Sequence, residues 1–425
     1  MASPYEGYVN VVDFGARPNS FLDDTEAFLK ALSTGKSVFV PDGIFYIKRT
    51  LVLENQNLVG CGSMQTHIVS TTNERNVPIV MAGRTCTIKD MLLMFEHILG
   101  DESEGERVGI LVHGKTWPLQ RGSIISNLHI KNCGTALYMP RYGLGGGPGP
   151  FNVEHSNLEI GDFTFRAIDY GSRHRVGNIF TNLFISNPTI TAPVDTIIRF
   201  DGDSNNVSMS HITIIDTVCK KAALSFNCVR GFHVSTVHIG NVGIAENGHA
   251  FVELDNSSGE FGAINFAYIT LDCKESSLIK LYNSYYDMYI GDKERQLTNH
   301  YLKIGNLDVK CINDPTRTPR YPDRVNDGLV EPYDKWFKFI TRDKDGVGTY
   351  SVDIANYIYY TFKNDRIAYE KFECDDDRIN FVCKGMLPKG GPTSMRPQFR
   401  LCKFTTEYFD TDIGKKICWD GEKWV

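Results

Sequence analysis

A carboxylic acid that protonates a leaving atom, working with a carboxylate that activates water, is enough chemistry to hydrolyse a stable bond. The chain carries carboxylates at suggestive positions. Asp169, Arg199, Ser225, Glu253 and Lys280 each stand between two apolar residues, in Ile168-Asp169-Tyr170, Ile198-Arg199-Phe200, Leu224-Ser225-Phe226, Val252-Glu253-Leu254 and Ile279-Lys280-Leu281. Immediately after these triplets come Gly171, Asp201, Asn227, Asp255 and Tyr282. If the triplets are strands, alternation sends both sets to the face opposite the apolar residues. Stacked in one sheet at about 4.8 Å per strand, Asp201 and Asp255 lie two rungs apart, with backbones about 10 Å apart. Side-chain rotation then brings their carboxyl groups into the roughly 6.5 to 9.5 Å range that leaves room for a water between acid and base. Asp201 and Asp255 are therefore the expected catalytic pair, with Glu253, Asp203 and Asp169 in reserve.

Cations lie close by in the sequence. Arg173-His174-Arg175 follows the stretch Ile168 to Tyr170 directly, and with Arg199 it offers a clamp for an anionic carboxylate; the plainer interpretation is a solvated turn. Tyr170, His174 and Lys280 are the alternative acid or base groups. Tyr282 stands near Tyr285, Tyr286 and Tyr289, a group suited to the core, to a subunit contact, or to stacking on a ring-shaped ligand. Other motifs carry less. The run Gly143-Leu-Gly-Gly-Gly-Pro-Gly-Pro150 has no following Lys-Ser or Lys-Thr and leads into a strand-like segment, so it reads as a projecting loop and not as a phosphate cradle. The histidines form no H-E-x-x-H, and His233 and His238 are offset by an odd number, which places them on opposite faces of a strand. No metal site and no cofactor is expected.

The elements that position these residues are repeats. A pattern of small or polar, apolar, any, apolar recurs at Asp90, Asn127, Asn157, Asn182, His211, Thr236, Tyr268 and Asn306, in copies such as Asn127-Leu128-His129-Ile130 and Asn182-Leu183-Phe184-Ile185. Starts lie 25 to 38 residues apart, too irregular for a helical solenoid and natural for stacked β-coils with loops of variable length. The apolar-flanked triplets form a second column between these copies, joined by Ile110-Leu111-Val112, Ala136-Leu137-Tyr138 and their neighbours. Two columns repeating together predict an all-β, right-handed parallel β-helix, whose end coils need covering. Asp23-Asp24-Thr25 can start a short helix with Ala27, Phe28, Ala31 and Leu32 on one face, suited to plugging the open end. The expected organisation is an opening segment and capping helix over 1–37, the β-helix over 38–312, a linker or surface loop over 313–335, and a β-rich C-terminal module over 336–425.

Composition excludes several alternatives. Apolar residues make up 42% of the 425 residues, enough for a large core and against disorder. The balance of 45 Lys and Arg against 51 Asp and Glu gives a net charge of −6, with no basic run interleaved with aromatics, so nucleic acid is not an expected partner. Met1-Ala-Ser-Pro-Tyr-Glu-Gly-Tyr8 lacks the basic start and apolar core of a secretion signal. No stretch approaches the ~18 apolar residues of a membrane span. The eleven cysteines contain no C-x-x-C pair and are expected as free, mostly buried thiols of a chain folded in a reducing cytosol.

The opening segment also carries a resemblance. Val11-Val12-Asp13-Phe14-Gly15-Ala16, then Asp23-Asp24-Thr25-Glu26-Ala27-Phe28, then Val38-Phe39-Val40-Pro41-Asp42-Gly43 and Tyr46 resemble the start of the pectate-lyase-like superfamily of right-handed β-helices, which includes bacteriophage tailspike depolymerases. The end, Tyr408-Phe409-Asp410-Thr411-Asp412-Ile413-Gly414-Lys415 and Trp419-Asp420-Gly421-Glu422-Lys423-Trp424, is similar to short hairpins on phage tail proteins. The resemblance implies a homotrimer on a virion tail, beside other tail proteins, that binds and cleaves a bacterial capsule or O-antigen, with the C-terminal module over 336–425 serving association or carbohydrate binding. It does not carry catalytic residues. Three functions stay open: an endo-glycosidase using paired carboxylates; a polysaccharide lyase, with Arg173 or Arg175 neutralising a uronate and His174, Tyr170 or Lys280 moving the proton; and a non-catalytic carbohydrate-binding spike.

Overall fold

The computed structural model describes residues 7–83, 85–112, 122–140, 153–172, 177–202, 207–271, 277–282, 300–310, 337–340, 350–360, 372–374, 379–383, 390–391, 407–418 and 423–425. The chain forms two compact units, Met1–Thr217 and Val218–Val425. The fold is a parallel β-helix, right-handed as crossover connections between parallel strands are, with one short α-helix and one 3-10 turn, Val11–Phe14, among the described residues. None of the helical residues forms a segment long and apolar enough to cross a membrane, again among the described residues.

In the first unit, the first column contains Thr87–Phe95, Ile124–Lys131, Val153–Gly161, Asn178–Ser186 and Val207–Cys219, each hydrogen-bonded in parallel to the next. Their register stacks Met91, Leu128, Leu158, Leu183 and Ile212 in one row, none more than 2% exposed. The inward stacking expected of Leu128, Leu183 and Ile212 is therefore present. The second column contains Val108–Val112, Thr135–Met139, Arg166–Ser172 and Ile198–Gly202, with Ile110, Leu137, Ile168 and Ile198 in register and fully buried.

The polar residue that opens each of the first five copies has a structural cause. Asp90, Asn127, Asn157, Asn182 and His211 all have φ between 52° and 61°, where Asn and Asp are the side chains best tolerated. Each bends its strand, and the ladder skips it. The side chains then bond from coil to coil: Asn127 Nδ2 donates to Asp90 (2.8 Å), Asn157 to Asn127 (2.9 Å) and Asn182 to Asn157 (2.9 Å).

The helix Thr25–Ser33 buries Ala27, Phe28, Ala31 and Leu32, with Phe28 packed edge-on against Phe45 at 5.8 Å. Asp24 does not cap it through its side chain. Asp23 accepts from the Thr25 amide at 3.0 Å, and Asp24 accepts from the Arg17 amide at 2.8 Å.

The second unit continues both motifs within itself. Arg230–Ile244, Ser258–Ala267, His300–Lys310 and Tyr350–Tyr360 form one parallel series, with Ile379–Cys383 after them. Leu224–Asn227, Ala250–Asp255, Ser277–Tyr282, Phe337–Ile340 and Phe372–Cys374 form the other. A three-stranded sheet of Gly390–Gly391, Glu407–Asp410 and Lys415–Cys418 ends in the antiparallel hairpin that pairs Asp410 with Lys415.

One repeat copy is corrected. The strand segment in register with Asn306-Leu307-Asp308-Val309 is Ala263-Ile264-Asn265-Phe266, not Tyr268-Ile269-Thr270-Leu271, whose Thr270–Leu271 pairs with Gly243 and Ile244. Tyr268 does bend left-handed, at φ 55°, as Asn241 does at φ 52°, but this bend follows Ser258–Ala267 and is not the ladder position of Asn306. At the ladder position the skipped residues are Ser235, Gly262 and Gly305, none of them at positive φ, so no asparagine marks it, and a Cβ added to either glycine would meet a carbonyl oxygen at 2.5 Å. The segment 313–335 and the Gly143–Pro150 loop lie outside the described residues.

A titratable cluster lies inside the coils of the first unit. His155 is fully buried, stacked on Phe180 at 4.1 Å between centroids, with Nε2 2.6 Å from the Tyr170 hydroxyl and Nδ1 3.2 Å from Ile179 O. Burial lowers its pKa to about 3, so the folded state keeps it neutral while the unfolded chain takes up a proton near its ordinary 6.5. Stability is then fully present above about pH 6.5 and falls as pH drops toward 3, by up to about 1.4 kcal/mol per pH unit. We predict that His155→Phe flattens the denaturation midpoint against pH across this window. An unchanged acid slope in the variant would assign acid sensitivity to other groups.

Candidate functional site

The first unit gathers a charged cluster on the outside of the second column. Tyr138, Asp169 and Arg199 are neighbours in register across three strands. Asp169 accepts from Arg199 Nε (2.7 Å) and Nη2 (3.1 Å) and from Arg166 Nη1 (2.6 Å). Arg166 is completed by Asp195, which accepts from its Nε at 2.9 Å and also from Nη2, and its guanidinium lies 4.3 Å over the Phe165 ring. Although Asp169 is at an outward position, its side chain is 1% exposed, because the two guanidiniums and the segment carrying Glu104 cover it. It thus holds Arg199 in place and is not presented to a ligand. Burial pulls the Arg199 guanidinium down, but Asp169 and Glu104 more than reverse this and fix it as a cation. Burial first, then the carboxylates of Glu104 and Asp169, push the Tyr138 hydroxyl up to about 12, so it stays a neutral phenol.

Asp201 lies one residue before the end of the strand that carries Arg199, whose charge it also supports. It is half-buried and stands opposite Gly171, which has no side chain to cover it. Tyr170 points the other way: it is 1% exposed, inside the coil against His155, and offers no group to the outer face. Its position between Asp169 and Gly171 in an alternating strand requires this.

In the second unit, Ser225, Glu253 and Lys280 share one row and Asn227, Asp255 and Tyr282 the next. Glu253 Oε1 accepts from the Ala250 amide at 3.1 Å and lies 2.8 Å from His249 Nδ1. Lys280 is 4% exposed and donates to the Gly248 carbonyl, so its ammonium is engaged at the turn before Glu253. Asp255 is half-buried. Asp203, Arg173, His174, Arg175 and the side chain of Tyr282 lie outside the described residues. Asp201 belongs to the first unit and Asp255 to the second. Among the described residues no group of three His, Cys, Asp or Glu side chains is arranged to hold a metal.

Sequence reasoning missed Arg166, Asp195, Glu104 and His249. Arg166 and Asp169 are three apart, an odd offset that strand alternation places on opposite faces; they meet because Arg166 begins its strand. Glu104 reaches Arg199 from 95 residues away. His249 carried a signal, being four residues before Glu253 at the start of a strand.

The coils and their polar outer rows define a parallel β-helix, and residues 8–91 match the family model described as rhamnogalacturonase A/epimerase, pectate lyase-like. No curated protein matches the chain significantly. Solved structures of the same fold include the catalytic unit of a thermostable GH87 α-1,3-glucanase from Streptomyces thermodiastaticus strain HF3-3, at TM-score 0.53 and 14% identity, covering 94% of this chain and 68% of that one. They also include the gp42 tailspike of Acinetobacter phage vb_AbaP_AS12, at TM-score 0.53 and 10% identity, covering 97% and 65%. The Agl-KA catalytic domain aligns at TM-score 0.52 and 12% identity, covering 90% and 69%. The chain thus spans about two thirds of the length of each.

Proposed function

We propose that the chain is a polysaccharide-degrading β-helix enzyme of the tailspike type, hydrolysing glycosidic bonds of a bacterial surface glycan with paired carboxylates. The observation that carries this is the outer face of the second column, where charged and polar side chains replace the apolar ones that fill the inside: Asp169, Arg199 and Asp201 in one unit, Glu253 and Asp255 in the other. That an α-1,3-glucanase and a phage tailspike share this fold supports the reading. Asp201 and Asp255, half-buried and near strand ends, are the acid and base; Glu253 and Asp203 stand in reserve, and Arg199, Arg173 and His174 orient an acidic substrate. The assembly is a homotrimer on a virion tail, acting at the bacterial surface.

A second reading, β-elimination on a uronate, has its own support in the Glu253-bound His249, whose other nitrogen can take a proton when Nδ1 carries one. Incubation with acidic and neutral capsular polysaccharides separates the cases. New reducing ends without ultraviolet absorbance mean hydrolysis; an absorbing unsaturated uronate means elimination; unshortened polymer that stays bound means a binding spike and ends the enzymatic reading. Light scattering at the monomer mass under native conditions would remove the trimer.

A further inference from the structure

Glu104 is a carboxylate in an unusual place. Its Oε1 accepts from Arg199 Nη2 at 2.9 Å and its Oε2 lies 3.6 Å from Arg166 Nη1, yet its side chain is 49% exposed while the two arginines are 22% and 5% exposed. Behind it, Arg166, Arg199, Asp169 and Asp195 already form two cations and two anions held by direct bonds. Glu104 is therefore a third carboxylate, added from the solvent side to donors that the buried pair has oriented.

The segment bearing Glu104 does not depend on that contact. Glu102 accepts from the amides of Leu99 (3.2 Å) and Gly100 (2.9 Å) and from the Thr164 hydroxyl (2.6 Å). Glu106 accepts from the Ser103 amide at 2.8 Å and pairs with Arg75 at 3.1 Å. Gly105 lies so close to the Tyr138 ring that an added Cβ would be 3.2 Å from it. The strap is thus fastened on both sides of Glu104, and the Glu104 side chain can leave the arginines without the backbone moving.

We infer that Arg199, backed by Arg166, is a binding subsite for the carboxylate of an acidic sugar, and that Glu104 occupies it until a ligand carboxylate exchanges for it. A guanidinium fixed by a second carboxylate presents its remaining N–H groups in a planar fork that fits a carboxylate. A tethered competitor at high local concentration lowers the apparent affinity of a free one. This inference rests on the outer face of the second column facing glycan, and it commits that glycan to carry carboxylates.

The test measures binding without turnover, so it stands apart from whether the chain cleaves. Sodium glucuronate is titrated into the full chain by calorimetry, with glucose as the ring lacking the carboxylate. Glu104→Gln should bind glucuronate roughly ten-fold more tightly than the native chain, with glucose unaffected and the gain weakened by salt. Adding Arg199→Lys, which keeps a charge beside Asp169 but loses the planar fork, should abolish the gain. Equal glucuronate affinity in the native chain and a folded Glu104→Gln overturns the proposal, as does a gain that glucose shares or that survives Arg199→Lys. A Glu104→Gln chain that loses stability without gaining affinity also overturns it, since Glu104 would then be only a clamp on the strap.

Discussion

Replacing Asp201 or Asp255 singly by Asn should lower glycan cleavage by about a hundred-fold or more while leaving the fold intact, the loss expected when a general acid or base is removed. Neither substitution disturbs the core. Asp201 lies beyond Phe200, which is buried, and faces Gly171 on the neighbouring strand; Asp255 lies beyond buried Leu254 and is flanked in register by Asn227 and Tyr282. Asn keeps the size and hydrogen-bonding reach of Asp but gives up its acid and base forms. Measured on a polymer the native chain cleaves, near-normal rates in both folded variants would falsify the pair. A selective loss in Glu253→Gln would then move the acid–base work to the residue that His249 touches.

The second large effect is on stability. Asp169→Ala should cost about 3 to 5 kcal/mol, because it leaves Arg166 and Arg199 in a nearly closed space without the carboxylate they share. The cost arises chiefly from the charges left behind. Asp169→Asn, which retains an acceptor, should fall between Asp169→Ala and the native chain. Denaturant titration of the three proteins gives the ordering, and a loss below about 1 kcal/mol for Asp169→Ala would mean that water reaches the arginines and that the cluster behaves as a surface ion pair.

Much of the architecture was legible because the side-chain period of a strand is two and the coil corners favour particular residues. Asn127, Asn157 and Asn182 mark their corners correctly since a left-handed bend tolerates asparagine. The pattern settled on Tyr268, a left-handed bend like Asn241, while the segment in register with Asn306 begins at Ala263 after Gly262, where the backbone does not turn left-handed and no polar residue announces the copy. Outwardness was equally legible, and accessibility was not. Asp169 and Lys280 occupy outward positions yet are covered, one by Arg166, Arg199 and a distant strap, the other by engagement with the Gly248 carbonyl. Coverage depends on loops whose path has no period, and only the structure shows which alternating charges a ligand can reach.

The ladder of Asp90, Asn127, Asn157 and Asn182 also bears on how the chain is made. Each side chain bonds to one between 25 and 37 residues earlier, and the strands around them pair over the same interval. A ribosome delivering this chain has therefore always released the template before the strand that will lie on it, and winding can follow translation from the N-terminus. With the helix Thr25–Ser33 packed against the first coils, growth has one direction. The exposed edge of the nascent unit is always its newest coil, which the next few dozen residues of synthesis cover.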